Sequence, residues 1–310
     1  MNVRKTPVLL LILSAIHILS ATDGFAQAVT PKPTVLPIFQ TNVTVNTYQY
    51  PAGRGRSPVT FVVLHHDEQT GLKATKSVLE RRGGKLVELA STDPITNKPS
   101  RKVYFKFNEK TLCFDPNRIF SDEGISKTLE GCHTAVPNGT DKESIIAAVK
   151  AFRKALLEIM MPKRRCWIDS TQPRSCPEEI IAAVHNSTDS STDLTGEKSI
   201  SALSFVVPGG METDDTEAAY IVNGEDSDNF FIASNPFIFS NLINWRPKEE
   251  HFTVSLQKKR PISREGYLSV YSGMGNMNYI AIEAQHNTGN MRQTQMINRV
   301  LDAFDARRIR

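Results

Sequence analysis

The chain has few cysteines and only one long apolar run, and each shortage narrows what it is. Beyond the first 28 residues no stretch of ~18 apolar residues exists, so the mature chain is expected to lack a membrane span. No basic stripe with interleaved aromatic residues occurs, and a net charge of +4 on 310 residues is mild. Nucleic acid is therefore not an expected partner. The basic clusters Lys163-Arg164-Arg165 and Lys258-Lys259-Arg260 read as solvated surface. None of the four cysteines forms a C-x-x-C pair, which removes the usual signature of a cysteine-rich metal site. No internal repeat, low-complexity block or mid-chain linker is visible, so an array of small modules is not expected.

The one long apolar run lies at the start. A positive opening, Asn2-Val3-Arg4-Lys5, precedes an apolar core from Val8 to Leu19 broken only by Ser14 and His17. Gly24-Phe25-Ala26 and Ala26-Gln27-Ala28 offer small-residue cleavage sites. Residues 1–28 read as a cleavable signal peptide, with an uncleaved anchor as the alternative, so the protein is expected to be secreted or periplasmic. In an oxidising compartment, Cys113, Cys132, Cys166 and Cys176 are expected in disulfides. Cys113–Cys132 with Cys166–Cys176 is the simplest of three connectivities. A free buried thiol, or a role for Cys132-His133 in a second metal site, are the other readings.

Residues 29–56 hold Pro31, Pro33, Pro37 and Pro51 and read as an extended lead-in with an edge strand at Asn42–Tyr48. The folded domain is expected over 57–310. Strands are predicted at Thr60–Leu64, Lys85–Ala90, Lys102–Phe107, Ile180–Val184, Ala202–Val207, Phe230–Ala233, Phe252–Leu256, Tyr267–Tyr271 and Tyr279–Ile282. Helices are predicted over Gly71–Arg82, stopped by Gly83-Gly84, and over Lys142–Met160. In the second, Ile145, Ile146, Val149, Phe152, Leu156 and Ile159 follow helical spacing behind an Asp141 N-cap. A third closes the chain from Gly289 to Arg307. This mixture, with 40% hydrophobic residues, predicts one three-layer α/β/α sandwich around a mixed central sheet.

Three of the strands end abruptly in polar residues. Phe61-Val62-Val63-Leu64 runs into His65-His66-Asp67-Glu68. Imidazole and carboxylate groups are costly at the end of a buried strand unless they are paired or hold a cation. The H-x-x-E spacing lets His65 and Glu68 meet one zinc ion as strand turns into helix. Ile180-Ile181-Ala182-Ala183-Val184 ends in His185, and strand C-termini of an α/β sheet converge on one crevice. His65, Glu68 and His185 would leave a fourth position for water, the coordination of a catalytic zinc, one per chain. Asn278-Tyr279-Ile280-Ala281-Ile282 ends in Glu283, an unligated acid suited to act as general base. Asp115-Pro116-Asn117-Arg118 is turn chemistry that presents Asn117 and Arg118 to a substrate carboxylate or a scissile carbonyl. Each residue also has a plainer reading. A lone strand-end histidine is usually a hydrogen-bonded structural group, Arg118 forms a loop ion pair with an aspartate, and Glu283 is a solvated acid. His66 reads as packing or support for the ligands, and Asp67 as acceptor of a ligating histidine's free N–H. His286 reads as surface, and His133 and His251 have no partner pattern.

In order and spacing, His65-x-x-Glu68, Asn117-Arg118, His185 and Glu283 resemble the zinc carboxypeptidase superfamily, which includes the succinylglutamate desuccinylase and aspartoacylase branch. The resemblance spans roughly 57–305. Asp115-Pro116-Asn117-Arg118 is similar to that branch's aspartate-x-asparagine-arginine motif, whereas His66-Asp67 departs from the glycine-asparagine often found there. The resemblance implies a zinc carboxypeptidase-like (phosphorylase/hydrolase-like) fold, with His65, Glu68 and His185 as ligands. It also implies that Asn117 and Arg118 grip the substrate and that Glu283 is the base. The expected activity is hydrolysis of an amide bond. A metallocarboxypeptidase acting on peptides or cell-wall stem peptides comes first, and a deacylase of small acyl-amino acids second. The substrate is expected to carry a free carboxylate. A non-catalytic binding protein of the same fold is a third reading; such a module has no need of Glu283.

Overall fold

The computed structural model describes residues 29–51, 57–132, 134–161, 179–187, 216–222, 229–244, 252–259, 266–275, 277–285 and 290–304. The expectations for the signal peptide, Ala202–Val207, Cys166, Cys176, His133, His251 and His286 fall outside them.

The sequence expectation of a mixed-sheet α/β fold is met. Among the described residues, nine strands form one sheet. In chain order these are β1 (Lys32–Ile38), β2 (Thr41–Tyr50), β3 (Val59–Val63), β4 (Gly84–Ala90), β7 (Ile180–Ser187), β8 (Thr216–Tyr220), β9 (Phe230–Ala233), β10 (Thr253–Gln257) and β11 (Asn278–Gln285). Their spatial order is β1-β2-β4-β3-β7-β11-β9-β10-β8. The central strands β4, β3, β7 and β11 run parallel, and antiparallel strands flank them on both sides. β5 (Val103–Phe107) and β6 (Lys110–Phe114) form a separate hairpin.

Helices cover both faces, which is why β3 is buried along its whole length and reads as an unbroken apolar run. On one face lie α2 (Asp122–Glu130) and α3 (Thr140–Met160). Ile145, Val149, Phe152 and Leu156 of α3 share a core there with Val62, Ile181, Ala183 and Ala281. On the other face lie α1 (Gln69–Arg82), α4 (Pro236–Ile243) and α6 (Asn290–Ala303). Leu72, Val78, Met296, Ile297 and Val300 pack there against Phe61, Val63, Ala182 and Ile280. Each fully buried Leu, Ile or Phe contributes roughly 1.5–3 kcal/mol. The short α5 (Leu268–Met274) precedes β11. Among the described residues, no helix is long and apolar enough to cross a membrane.

Several elements differ from the sequence expectation. Within 29–56, read as a lead-in outside the domain, β1 and β2 are integral strands, and β2 lies between β1 and β4 rather than at the edge. Proline does not prevent this, because Pro33 and Pro37 fall on β1, the edge strand, where a missing N–H disrupts no ladder. Tyr267–Tyr271 is not a strand. Tyr267 is the N-cap of α5, and Leu268 and Tyr271, three apart, face the same core. Five residues are too few to tell a period of two from a helical turn. Gly139, not Asp141, is the N-cap of α3, and Asp141 lies in its first turn, where a negative charge suits the helix dipole. Of the expected disulfides, Cys113–Cys132 is formed, tying the end of β6 to the residue beyond α2.

Candidate metal centre

The polar cluster is assembled where the central strands end. β3 delivers buried His65, and the chain then turns through Glu68 N–H to His65 O (3.1 Å) and Gln69 N–H to Asp67 O (2.8 Å). Glu68 is the N-cap of α1. The H-x-x-E spacing therefore spans a strand-to-helix turn, as its sequence predicts. β7, the parallel neighbour of β3, delivers His185. His65 Nδ1 lies 2.9 Å from Glu68 Oε1, and His185 Nδ1 lies 3.3 Å from Glu68 Oε2. One ligand atom from each of the three residues falls within 4.8 Å of the others, and all three side chains are buried.

Asp115, just past β6, lies on the far side of His65. Its Oδ1 is 2.9 Å from His65 Nε2 and also accepts Asn117 N–H at 2.8 Å. An ionised carboxylate only accepts, so His65 Nε2 carries a hydrogen and Nδ1 faces Glu68. Glu68 also only accepts. Either a second ring proton or a cation must therefore sit between His65 Nδ1 and Glu68. Without a cation, burial and Arg101 act to lower the His65 pKa, but Glu68 and Asp115 outweigh them and raise it to about 9. Burial acts to raise Glu68, yet His65 and His185 hold it well below the usual carboxylate range. Asp115 is likewise held low against burial, by His65 and then by Arg101 and Arg118. Among the described residues, Glu68 Oε2 and His185 Nε2 are buried with no hydrogen-bond partner. Two imidazoles and a carboxylate that converge, with a buried atom left unsatisfied on Glu68 and on His185, fit zinc.

The supporting residues differ in part from the sequence reading. Asp67 is exposed, and Asp115 rather than Asp67 orients His65. Within Asp115-Pro116-Asn117-Arg118 the sequence points to Asn117 and Arg118, whereas the structure also brings Asp115 to the cluster. Arg101 was not anticipated. Its Nη1 lies 3.5 Å from Glu68 Oε1 and its Nε 3.5 Å from Asp115 Oδ2. No local pattern marks Ser100-Arg101-Lys102, because a fold contact rather than a spacing brings Arg101 to the cluster.

Asn117 is buried, and its Oδ1 accepts Leu268 N–H at 3.4 Å. Arg118 Nε lies 3.7 Å from Asp115 Oδ2, and its guanidinium is 5.1 Å from the centre of the Tyr267 ring. Arg118 thus combines the loop ion pair of the plainer reading with a half-buried position beside the cluster. Glu283 is buried on β11, paired in register with His185 of β7 and with Phe230 of β9.

No family model and no curated protein matches the chain. Among solved structures it is similar to a metallo-carboxypeptidase from Burkholderia cenocepacia, at 10% identity and a TM-score of 0.40, over 90% of this chain and 65% of that one. It is also similar to the succinylglutamate desuccinylase from Chromobacterium violaceum, at 10% identity and a TM-score of 0.37, over 90% of this chain and 71% of that one. At this distance, what the chain does has to be read from its own site.

Proposed function

We propose that the protein is a zinc-dependent hydrolase of an amide bond, acting as a metallocarboxypeptidase on peptides or cell-wall stem peptides outside the cytoplasm. One observation carries this reading: His65, Glu68 and His185 converge and are buried, Glu68 and His185 each keep an unsatisfied buried atom, and Glu283 is on the strand beside His185. Glu283 adds a third buried carboxylate to those of Glu68 and Asp115.

In this reading His65, Glu68 and His185 hold the zinc, which would supply Lewis acidity that activates a water and polarises the scissile carbonyl. Asp115 keeps His65 in the tautomer that presents Nδ1. Glu283 takes a proton from the attacking water and returns it to the leaving nitrogen as the C–N bond breaks. Arg101 and Arg118 bring positive charge to the same mouth. Arg101, over Glu68 and Asp115, is suited to stabilise the developing oxyanion, and Arg118 to hold a substrate carboxylate. Asn117 braces that loop against Leu268.

The test is digestion by zinc-loaded protein of a peptide and muropeptide library together with N-acyl amino acids, read by mass spectrometry. Release of a C-terminal residue is expected. Release of only the acyl group would move the assignment to the deacylase branch. No product from any substrate, with zinc bound, would leave the binding-protein reading.

A further inference from the structure

His66, which with Asp67 departs from the resembled motif, joins the strand end to the loop that precedes Arg101. The loop from Ser91 to Ser100 is closed on itself. Ser100 N–H donates to Ser91 O (3.0 Å), Asp93 N–H to Lys98 O (2.9 Å) and Asn97 N–H to Asp93 O (2.9 Å). Asp93 Oδ1 also accepts Ile95 N–H at 2.7 Å and Thr96 N–H at 3.2 Å. His66 is stitched to both legs of this unit. Its backbone N–H donates to Ser100 O at 3.1 Å, and its ring Nδ1–H donates to Ser91 O at 2.7 Å. The ring is fixed in turn from behind. Its Nε2 lies 3.4 Å from Glu88 Oε1, while Glu88 Oε2 accepts the Tyr48 hydroxyl at 2.7 Å and faces Lys76 Nζ at 3.3 Å. Arg101 is one peptide beyond Ser100 and reaches both Glu68 and Asp115.

We propose that His66, clamped by Glu88, is a positioning residue that places Arg101 over the Glu68 and Asp115 carboxylates by locking loop 91–100 to the strand end. The part of this that concerns catalysis rests on the hydrolase reading above; the mechanical part does not. The geometry commits to a direction of influence: Glu88 holds the ring, the ring holds the loop, and the loop holds the guanidinium. Losing the ring leaves Arg101 chemically intact but misplaced.

Two readouts test it. In the metal-free protein, hydrogen exchange followed by mass spectrometry is expected to quicken in peptides covering 91–102 for His66→Ala, with α3 peptides unchanged. Unchanged exchange over 91–102 would overturn the proposal whether or not the protein is a hydrolase. In the zinc-loaded protein, Arg101→Ala is expected to lower kcat/KM about a hundredfold, the scale of a lost oxyanion donor. His66→Ala alone is expected to lower it about tenfold to a hundredfold, the scale of a misplaced catalytic group. The double variant should be no worse than Arg101→Ala. Strict multiplication of the two losses would mean that His66 does not act through Arg101. If His66→Ala does not fold, Glu88→Gln, which keeps the side-chain volume and removes the charge, is expected to show the same pattern at smaller amplitude. Additive losses there would also overturn the assignment.

Discussion

Glu283 and His185 are register partners on adjacent parallel strands, and both side chains are buried, each two residues before its strand ends. A one-residue slip of β11 would turn Glu283 to the opposite face of the sheet. The pairing thus decides whether the acid stands with the histidine cluster or against the α1–α6 layer. If Glu283 is the base, Glu283→Gln should bind zinc as the wild type does and unfold at the same temperature, yet lose about 10²–10⁴-fold in kcat. Metal analysis beside steady-state kinetics checks this. A variant that turns over normally would return Glu283 to a structural role.

The three polar positions were legible because a parallel strand covered on both faces is apolar throughout. His65, His185 and Glu283 therefore stand out as abrupt polar residues, although β7 and β11 run two residues past His185 and Glu283 rather than ending before them. α3 was legible because Ile145, Val149, Phe152 and Leu156 keep their spacing over about three turns. Groups placed by tertiary contact were not legible. Arg101 is brought in by loop closure, and Asp115 reaches His65 across 50 residues. Asp67 is near His65 in sequence, whereas Asp115 is the carboxylate that contacts its ring. Some local signals were present but unread. Asn235 caps α4 by accepting Ile238 N–H at 3.0 Å, with Pro236 in its first turn, and Ser121 caps α2 by accepting Gly124 N–H at 2.9 Å.

Zinc binding should depend on pH in a direction set by His65. In the metal-free protein its pKa stands near 9, so at neutral pH the ring carries the proton that a metal must displace. Affinity should therefore rise with pH, by about tenfold per unit for one displaced proton, and flatten near pH 9. Calorimetry at pH 7.5 in buffers of different ionisation enthalpy should show about one proton released per zinc bound. A buffer-independent enthalpy would mean that His65 is already neutral before the metal arrives.

Asp115→Asn keeps the shape and one acceptor oxygen for His65, removes the charge that orients the ring, and puts an NH2 donor where Oδ2 faces Arg101 and Arg118. The variant should still fold, because Asp115 N–H to Thr128 Oγ1 (2.7 Å) is a backbone contact and survives the change. Zinc affinity should fall about 10–100-fold, the usual cost of losing the carboxylate behind a ligating histidine. Competition with a chromophoric chelator measures it. Asp67→Asn, at an exposed position, is the control and should bind zinc normally.

The Cys113–Cys132 disulfide closes the segment that holds Asp115, Asn117, Arg118 and the whole of α2. Opening a loop with a sequence separation of 19 frees an unfolded chain that the bond had restrained, a loss of about 3 kcal/mol in the chain-entropy account. For a chain of this size that lowers Tm by roughly 5–10 °C. The Cys113→Ala, Cys132→Ala double variant should show this drop by calorimetry, and the loss should appear under non-reducing conditions. His65, Glu68 and His185 lie outside the closed segment but Asp115, which orients His65, lies inside it, so zinc content should change, though less than KM, which in the proposed function depends on Arg118. A variant that loses zinc while keeping KM would mean that the disulfide supports the metal ligands rather than the substrate loop.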